Sequence, residues 1–139
     1  MFVSQVLKKV INMSTKIKIY TASTGYVEAE IIEEKNPETS KAIIDNLPFE
    51  SSASTWGDEV YFSIPVDVDE EKSQQEVEVG DCGYWPSGKC FCIFFGRTPA
   101  SSGDKPVAAS PVNVFGRVLG DPKIFNKVKD GETIKVEKA

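Results

Sequence analysis

The side chains able to do chemistry in this 139-residue chain are carboxylates, lysines, three cysteines, four tyrosines and two arginines, Arg97 and Arg117; there is no histidine. Its absence removes Ser-His-Asp and Cys-His nucleophiles, histidine bases and histidine-ligated metals. Asp58, Glu59 and Asp81 are the carboxylates placed next to strand starts. In Gly57-Asp58 and Gly80-Asp81 the aspartate reads as a turn residue bonding local backbone N–H groups, not as an acid or base. Cys90 and Cys92 are two apart on one strand, on the same face and about 7 Å from each other, too far for an easy disulfide. Cys82 faces the other way, so the three do not converge on a metal. They read as small buried hydrophobes, and their odd number fits a reducing, cytoplasmic compartment. We therefore expect no cofactor and no metal. Along the acidic run Asp67, Asp69, Glu70, Glu71, Glu76 and Glu78, a calcium loop is excluded because no glycine sits midway; a solvated loop or exposed hairpin is expected.

The cysteines lie in the most informative stretch of the chain, Gly80 to Phe95. Aromatic and β-branched residues flank Pro86-Ser87-Gly88-Lys89, the pattern of a β-hairpin with a four-residue loop. That register sets Trp85 opposite Cys90 and Tyr84 opposite Phe91. One face then carries Cys82, Tyr84, Phe91, Ile93 and Phe95; the other carries Gly83, Trp85, Cys90, Cys92 and Phe94. An antiparallel hairpin on a surface has one polar face. This one has none, so something must cover the second.

Around the hairpin, Lys16 to Thr21 and Tyr26 to Ile32 alternate as strands across a Ser-Thr-Gly turn. Asn36-Pro37-Glu38 signals a helix start with Asn36 as N-cap, and Ser40, Ile43, Ile44 and Leu47 form its inward stripe before Pro48. Phe49 to Thr55 is extended. Glu59 to Pro65 is a strand with Val60, Phe62 and Ile64 on one face and Glu59, Tyr61 and Ser63 on the other. Gly96 to Pro111 reads as a long loop. Val112 to Leu119 is a strand, Asp121-Pro122 starts a short helix carrying Ile124, Phe125 and Val128, and Thr133 to Glu137 ends the chain as a strand. This order, without βαβ alternation, predicts a mainly β fold: a closed antiparallel barrel of about eight strands with two short helices at its ends. Residues 1–15 are expected to be an extension, a short helix or disordered, and 16–139 the single domain. Met13 offers an alternative start to Met1.

A net charge of −5 and scattered lysines give no footprint for nucleic acid. No stretch reaches transmembrane length, so neither nucleic acid nor membrane is an expected partner.

The order of elements is similar to that of cyclophilins, and Val114-Phe115-Gly116-Arg117-Val118 resembles their Val-Phe-Gly-Lys-Val segment. Trp56 to Phe62, Gly80-Asp81 with Gly83-Tyr84-Trp85-Pro86, and Cys92 to Gly96 with Thr98-Pro99 resemble a family of small prokaryotic cyclophilin-like proteins. The resemblance covers Lys16 to Lys138. It implies an eight-stranded barrel whose outer face holds a groove for proline-containing peptides, where cyclophilins isomerise the prolyl bond using an arginine, a phenylalanine-lined pocket and a glutamine. This chain has no arginine within Phe49 to Thr55. It sets Cys92 at the pocket phenylalanine, Val112 at a usual histidine and Trp85 at a usual small residue.

By that alignment the uncovered hairpin face is the groove face. The ligand-binding candidates are Glu59, Tyr61, Ser63, Trp85, Cys92 and Phe94, with Arg97 at the rim, and no catalytic residue is assigned. Apolar walls with few polar groups are the usual composition of a ligand site. The competing expectation is that Trp85 and Phe94 pack beneath Gly96 to Pro111 and leave no cavity. The function expected is a non-catalytic peptide- or small-ligand-binding module. The alternatives are a divergent prolyl isomerase with Arg97 or Tyr61 as donor, or an interaction protein whose groove face is an oligomer contact. The chain is expected to be a monomer or a small homo-oligomer.

Overall fold

The computed structural model describes residues 15–139; the extension expected over 1–15 lies, apart from Thr15, outside the described residues. The elements are β1 (Thr15–Thr21), β2 (Gly25–Ile31), α1 (Pro37–Asp45), β3 (Phe49–Ser52), β4 (Ser54–Thr55), β5 (Glu59–Ser63), β6 (Gln74–Glu76), β7 (Asp81–Trp85), β8 (Cys90–Phe94), β9 (Val107–Val118), a 3-10 helix (Pro122–Lys127) and β10 (Thr133–Lys138). The fold is mainly β, with antiparallel pairing throughout and, among the described residues, two short helices. The strands among those residues number ten, where about eight were expected, in the order β3-β10-β1-β2-β9-β7-β8-β5-β4, with β6 attached to β9. This hydrogen-bonded path has two ends, β3 and β4, in place of the closed barrel expected. The ends are separated in sequence by Ala53 alone, whose N–H donates to the Glu132 carbonyl and whose carbonyl accepts from Gly131. Those two bonds carry contact with the β10 side one residue past β3, and pairing with β5 begins at Ser54.

The strong period-2 signals give the strands expected of them. The β7–β8 register pairs Tyr84 with Phe91 and Trp85 with Cys90. Cys82, Tyr84, Phe91, Ile93 and Phe95 enter the main core with Val60, Phe62, Ile64, Phe115 and Phe125. Phe91 stacks on Phe62 at 4.9 Å between centroids and meets the edge of Phe115 at 5.0 Å. The second face builds a separate core: Cys90, Cys92 and Phe94 pack with Val77, Ala108, Val112 and Val114.

The cover for that face comes from the segment expected to be a loop. Residues 107–111 extend the strand expected from Val112 backward, making β9 twelve residues long. Weak alternation in Val107-Ala-Ala-Ser-Pro hides a strand whose support is tertiary. Pro111 is tolerated because the ladder with β6 is irregular there, pairing Gln74 with Val112 and Glu76 with Val107. On β7 the register jumps from Cys82–Gly116 to Gly83–Val114, so Phe115 is the extra residue of a bulge. The bulge sends Phe115 into the main core and Val114 into the second.

The helix starts at Asn36-Pro37 as expected, but Asn36 does not cap it. Its amide donates to the Val114 carbonyl and accepts from the Lys72 N–H, both at 2.7 Å. The free N–H groups of Glu38 and Thr39 are taken by the Glu71 carboxylate, 33 and 32 residues away. Asn113 completes the clasp, donating to Thr39 and the Asp69 carbonyl and accepting from the Glu71 N–H. The acidic segment is thus tied down at Asp69, Glu71 and Lys72, not merely solvated. Burial opposes ionisation of Glu71, yet the donors from Glu38 and Thr39 hold its carboxyl below the usual range.

Gly116 allows β9 to lie against β2, since a Cβ there would sit 2.5 Å from the Glu30 carbonyl oxygen, whereas a Cβ at Gly103 meets nothing. Gly116→Ala is therefore expected to lose about 1–3 kcal/mol, the usual cost of forced overpacking, while Gly103→Ala stays near neutral. Urea unfolding of the two variants checks the contrast.

Candidate functional site

The second core does not fill completely. At its end toward β5 lies a cleft of about 130 Å³ walled by Trp56, Glu59 and Tyr61 on one side and Trp85 and Cys92 on the other. Ala108, Ala109, Ser110 and Val112 of β9 close it. The β5–β8 register explains the gathering: Glu59 pairs with Phe94 and Tyr61 with Cys92, so alternate residues of both strands emerge on the same outer face. Small side chains at 108–110 leave the space that larger ones would occupy.

Of the residues expected from sequence, Glu59, Tyr61, Trp85 and Cys92 line the cleft together. Phe94 is fully buried and belongs to the second core adjoining the cleft. Ser63 is exposed at the far end of β5, opposite Cys90. Arg97 is exposed and outside the lining; its backbone carbonyl accepts from the Asp58 N–H at 2.8 Å. Both expectations for the groove are therefore met in part, since the former loop covers Phe94 and yet leaves a cleft beside Trp85.

Sequence reasoning missed Trp56 and the β9 residues. Trp56 is placed by a tight turn in which its N–H donates to the Glu59 carbonyl at 2.9 Å. The signal was present in its position one residue ahead of Gly57-Asp58. Gly57 has φ of +59°, and a Cβ there would lie 2.8 Å from the Pro99 ring and 3.0 Å from the Arg97 carbonyl oxygen. The β9 residues carried no signal beyond their small size.

Trp85 is held rigidly. Its indole N–H donates to the Ser110 hydroxyl, tying β7 to β9, and a Cβ at Gly88 would lie 2.5 Å from its ring. The turn glycine thus lets the indole fold over the hairpin loop. Gly83 does the same for Val112, which would stand 2.9 Å from a Cβ there.

Glu59 is 6% exposed, and among the described residues no lysine or arginine forms an ion pair with it. Burial pushes its carboxyl from the ordinary 4.5 up to about 7, with the Cys92 thiol partly opposing as a donor. Burial, and then the Glu59 charge, hold Cys92 well above the usual thiol range, so it stays a thiol and not a nucleophile. Asp81 accepts from the Glu78 N–H at 2.9 Å, the turn role expected of it. All three cysteines are free and buried, and no cluster of metal-ligating side chains occurs among the described residues. No helix among them is long and apolar enough to cross a membrane.

The cyclophilin-like family model matches residues 15–137, nearly the whole of the chain. The chain belongs to the cyclophilin-like family. This cyclophilin-like chain is also similar to the solution structure of the hypothetical protein AF2241 from Archaeoglobus fulgidus, with 44% identity over 92% of this chain and 97% of that one and a TM-score of 0.76. No curated protein matches it.

The raised Glu59 has a consequence for stability. The unfolded chain ionises it near 4.5 and the folded chain near 7, so between those values the folded state holds the extra proton. Stability therefore falls as pH rises through this window and levels off above it. From pH 5 to 8 the wild type should lose about 2 kcal/mol relative to Glu59→Gln, which has no such proton to release. Parallel urea titrations of the two proteins at both pH values measure the difference.

Proposed function

We propose that this cyclophilin-like chain is a non-catalytic binding module that takes a small ligand, or one side chain of a peptide, in the outer cleft. The observation that carries this reading is the composition of the cleft: two indoles, a phenol and small aliphatic groups around a single carboxylate. Rigid apolar walls with one or two oriented polar groups are what small-molecule sites are made of. Its volume of about 130 Å³ lies below the ~300–1,000 Å³ of sites for drug-sized ligands. By the same measure it exceeds roughly tenfold the space one water needs. A head group or a single side chain fits; several residues of a peptide do not.

The chemistry of the cleft supports binding without turnover. Prolyl isomerisation needs a donor that stabilises the twisted amide; neither arginine belongs to the lining, which leaves the Tyr61 phenol as the one donor expected from sequence that does. Cys92 is held as a neutral thiol. The groove face also has less need of a partner, since Val77, Ala108 and Val112 already cover Cys90 and Phe94.

A nuclear magnetic resonance screen of small amphiphilic compounds should move the indole N–H signals of Trp56 and Trp85 together. Trp56→Ala, which removes one aromatic wall, should weaken any such ligand about tenfold. Shifts confined to other surfaces would overturn the assignment of the cleft, and acceleration of a cis/trans prolyl peptide assay at micromolar protein would overturn the non-catalytic reading.

A further inference from the structure

Glu59 is a buried carboxylate with no positive partner among the described residues. A carboxylate removed from water without a counter-charge is costly, and folds usually pair it or neutralise it. Here the walls around it are not neutral bystanders. Trp56, Trp85 and Tyr61 present aromatic rings, whose faces carry negative electrostatic potential and attract cations. The remaining lining comes from a thiol and from β9 residues that carry no charge. The carboxylate and the faces of aromatic rings therefore act in the same sense, each favouring a cation.

We propose, resting on the reading of the cleft as a ligand site, that its ligand is an alkylammonium head group, with the cation against Glu59 and its alkyl substituents against Trp56, Trp85 and Tyr61. Three features favour this chemistry over a neutral or anionic ligand. The ammonium supplies the charge that Glu59 lacks. Methyl or methylene groups on the nitrogen match the apolar walls, where a strongly hydrated small ion would lose its water for little return. The size of the cleft suits a head group whose remainder leaves through the mouth.

Binding is then linked to protons. Beside Glu59 in the cleft are the Tyr61 phenol from its own strand and the Cys92 thiol from β8, with the Cys90 thiol farther along β8 opposite Ser63; Ala108, Ala109, Ser110 and Val112 of β9 do not titrate. With Glu59 protonated below about pH 7, affinity for a permanent cation falls as pH drops, approaching tenfold per unit, and is flat above that value.

Three probes of one shape test the proposal: choline, its uncharged carbon isostere 3,3-dimethylbutan-1-ol, and the anion 3,3-dimethylbutanoate. Each is titrated into the full chain at pH 6 and pH 8 while the Trp56 and Trp85 indole signals are followed. Choline is expected to bind about tenfold or more tighter than the alcohol at pH 8, as a partly desolvated cation–π contact implies. The preference should shrink at pH 6 and in a folded Glu59→Gln variant, and the anion should not bind. If the alcohol binds as well as choline in the wild type, the cation proposal fails while the cleft remains a ligand site. If no probe moves either indole, both readings fail. An N-acetylated trimethyllysine amide in a further titration separates the sources: tighter binding than choline assigns the head group to a peptide side chain, and equal or weaker binding to a free small molecule.

Discussion

The β7–β8 hairpin is apolar on both faces, and the rest of the molecule is arranged around the need to cover each of them. Facing inward, Tyr84, Phe91 and Ile93 recruit β5, α1 and the 3-10 helix into the main core. Facing outward, Cys90, Cys92 and Phe94 recruit Val77 and the first half of β9 into a second one. Neither side can be left in water without forfeiting the burial that stabilises the hairpin. β9 serves both layers by changing faces at the bulge around Phe115, while Gly83 and Gly116 let its backbone come close enough to do so.

The cleft is where the outer cover runs short. β9 crosses the hairpin with valines over Gly83 and Phe94 but with alanine and serine near Glu59 and Tyr61. The space follows from that one local change in side-chain size, while burial among the surrounding walls raises the Glu59 carboxyl and holds the Cys92 thiol neutral. An aromatic frame keeps the space from collapsing, since Trp85 is fixed by Ser110 and by the turn at Gly88. The energetic penalty at Glu59 is carried by the packing elsewhere.

A second polar device holds the covering layer in place. Asn36, Asn113, Thr39 and Glu71 join the helix start, β9 and the acidic segment through bonds of 2.7 to 3.2 Å. These groups are far apart in sequence, so the order of the segment around Asp69 to Lys72 rests on contacts with β9 and α1 and not on its own local pattern. Tyr84 contributes from the core side by donating to the Val66 carbonyl at 2.6 Å.

The amino-acid pattern alone determined the hairpin register, the division of its residues between two faces, the facing of Glu59 and Tyr61 away from Val60 and Phe62, and the mainly β class. Each of these follows from strict alternation over five or more residues, which one core face suffices to enforce. The tertiary structure alone decided the rest. Val107 to Pro111 became strand because an exposed apolar face lay beside it, though its own sequence favours no period. The helix took its cap from Glu71, since the Asn36 amide oxygen was drawn off by the Lys72 N–H. Among the described residues ten strands with two ends stand where about eight in a ring were expected, the ends β3 and β4 meeting at Ala53, where the pairing partner changes from β10 to β5. Trp56 joined the cleft through a turn at Gly57, and Phe94 left it for the core, because depth beneath a covering strand is set by what that strand carries and not by the periodicity of the one below.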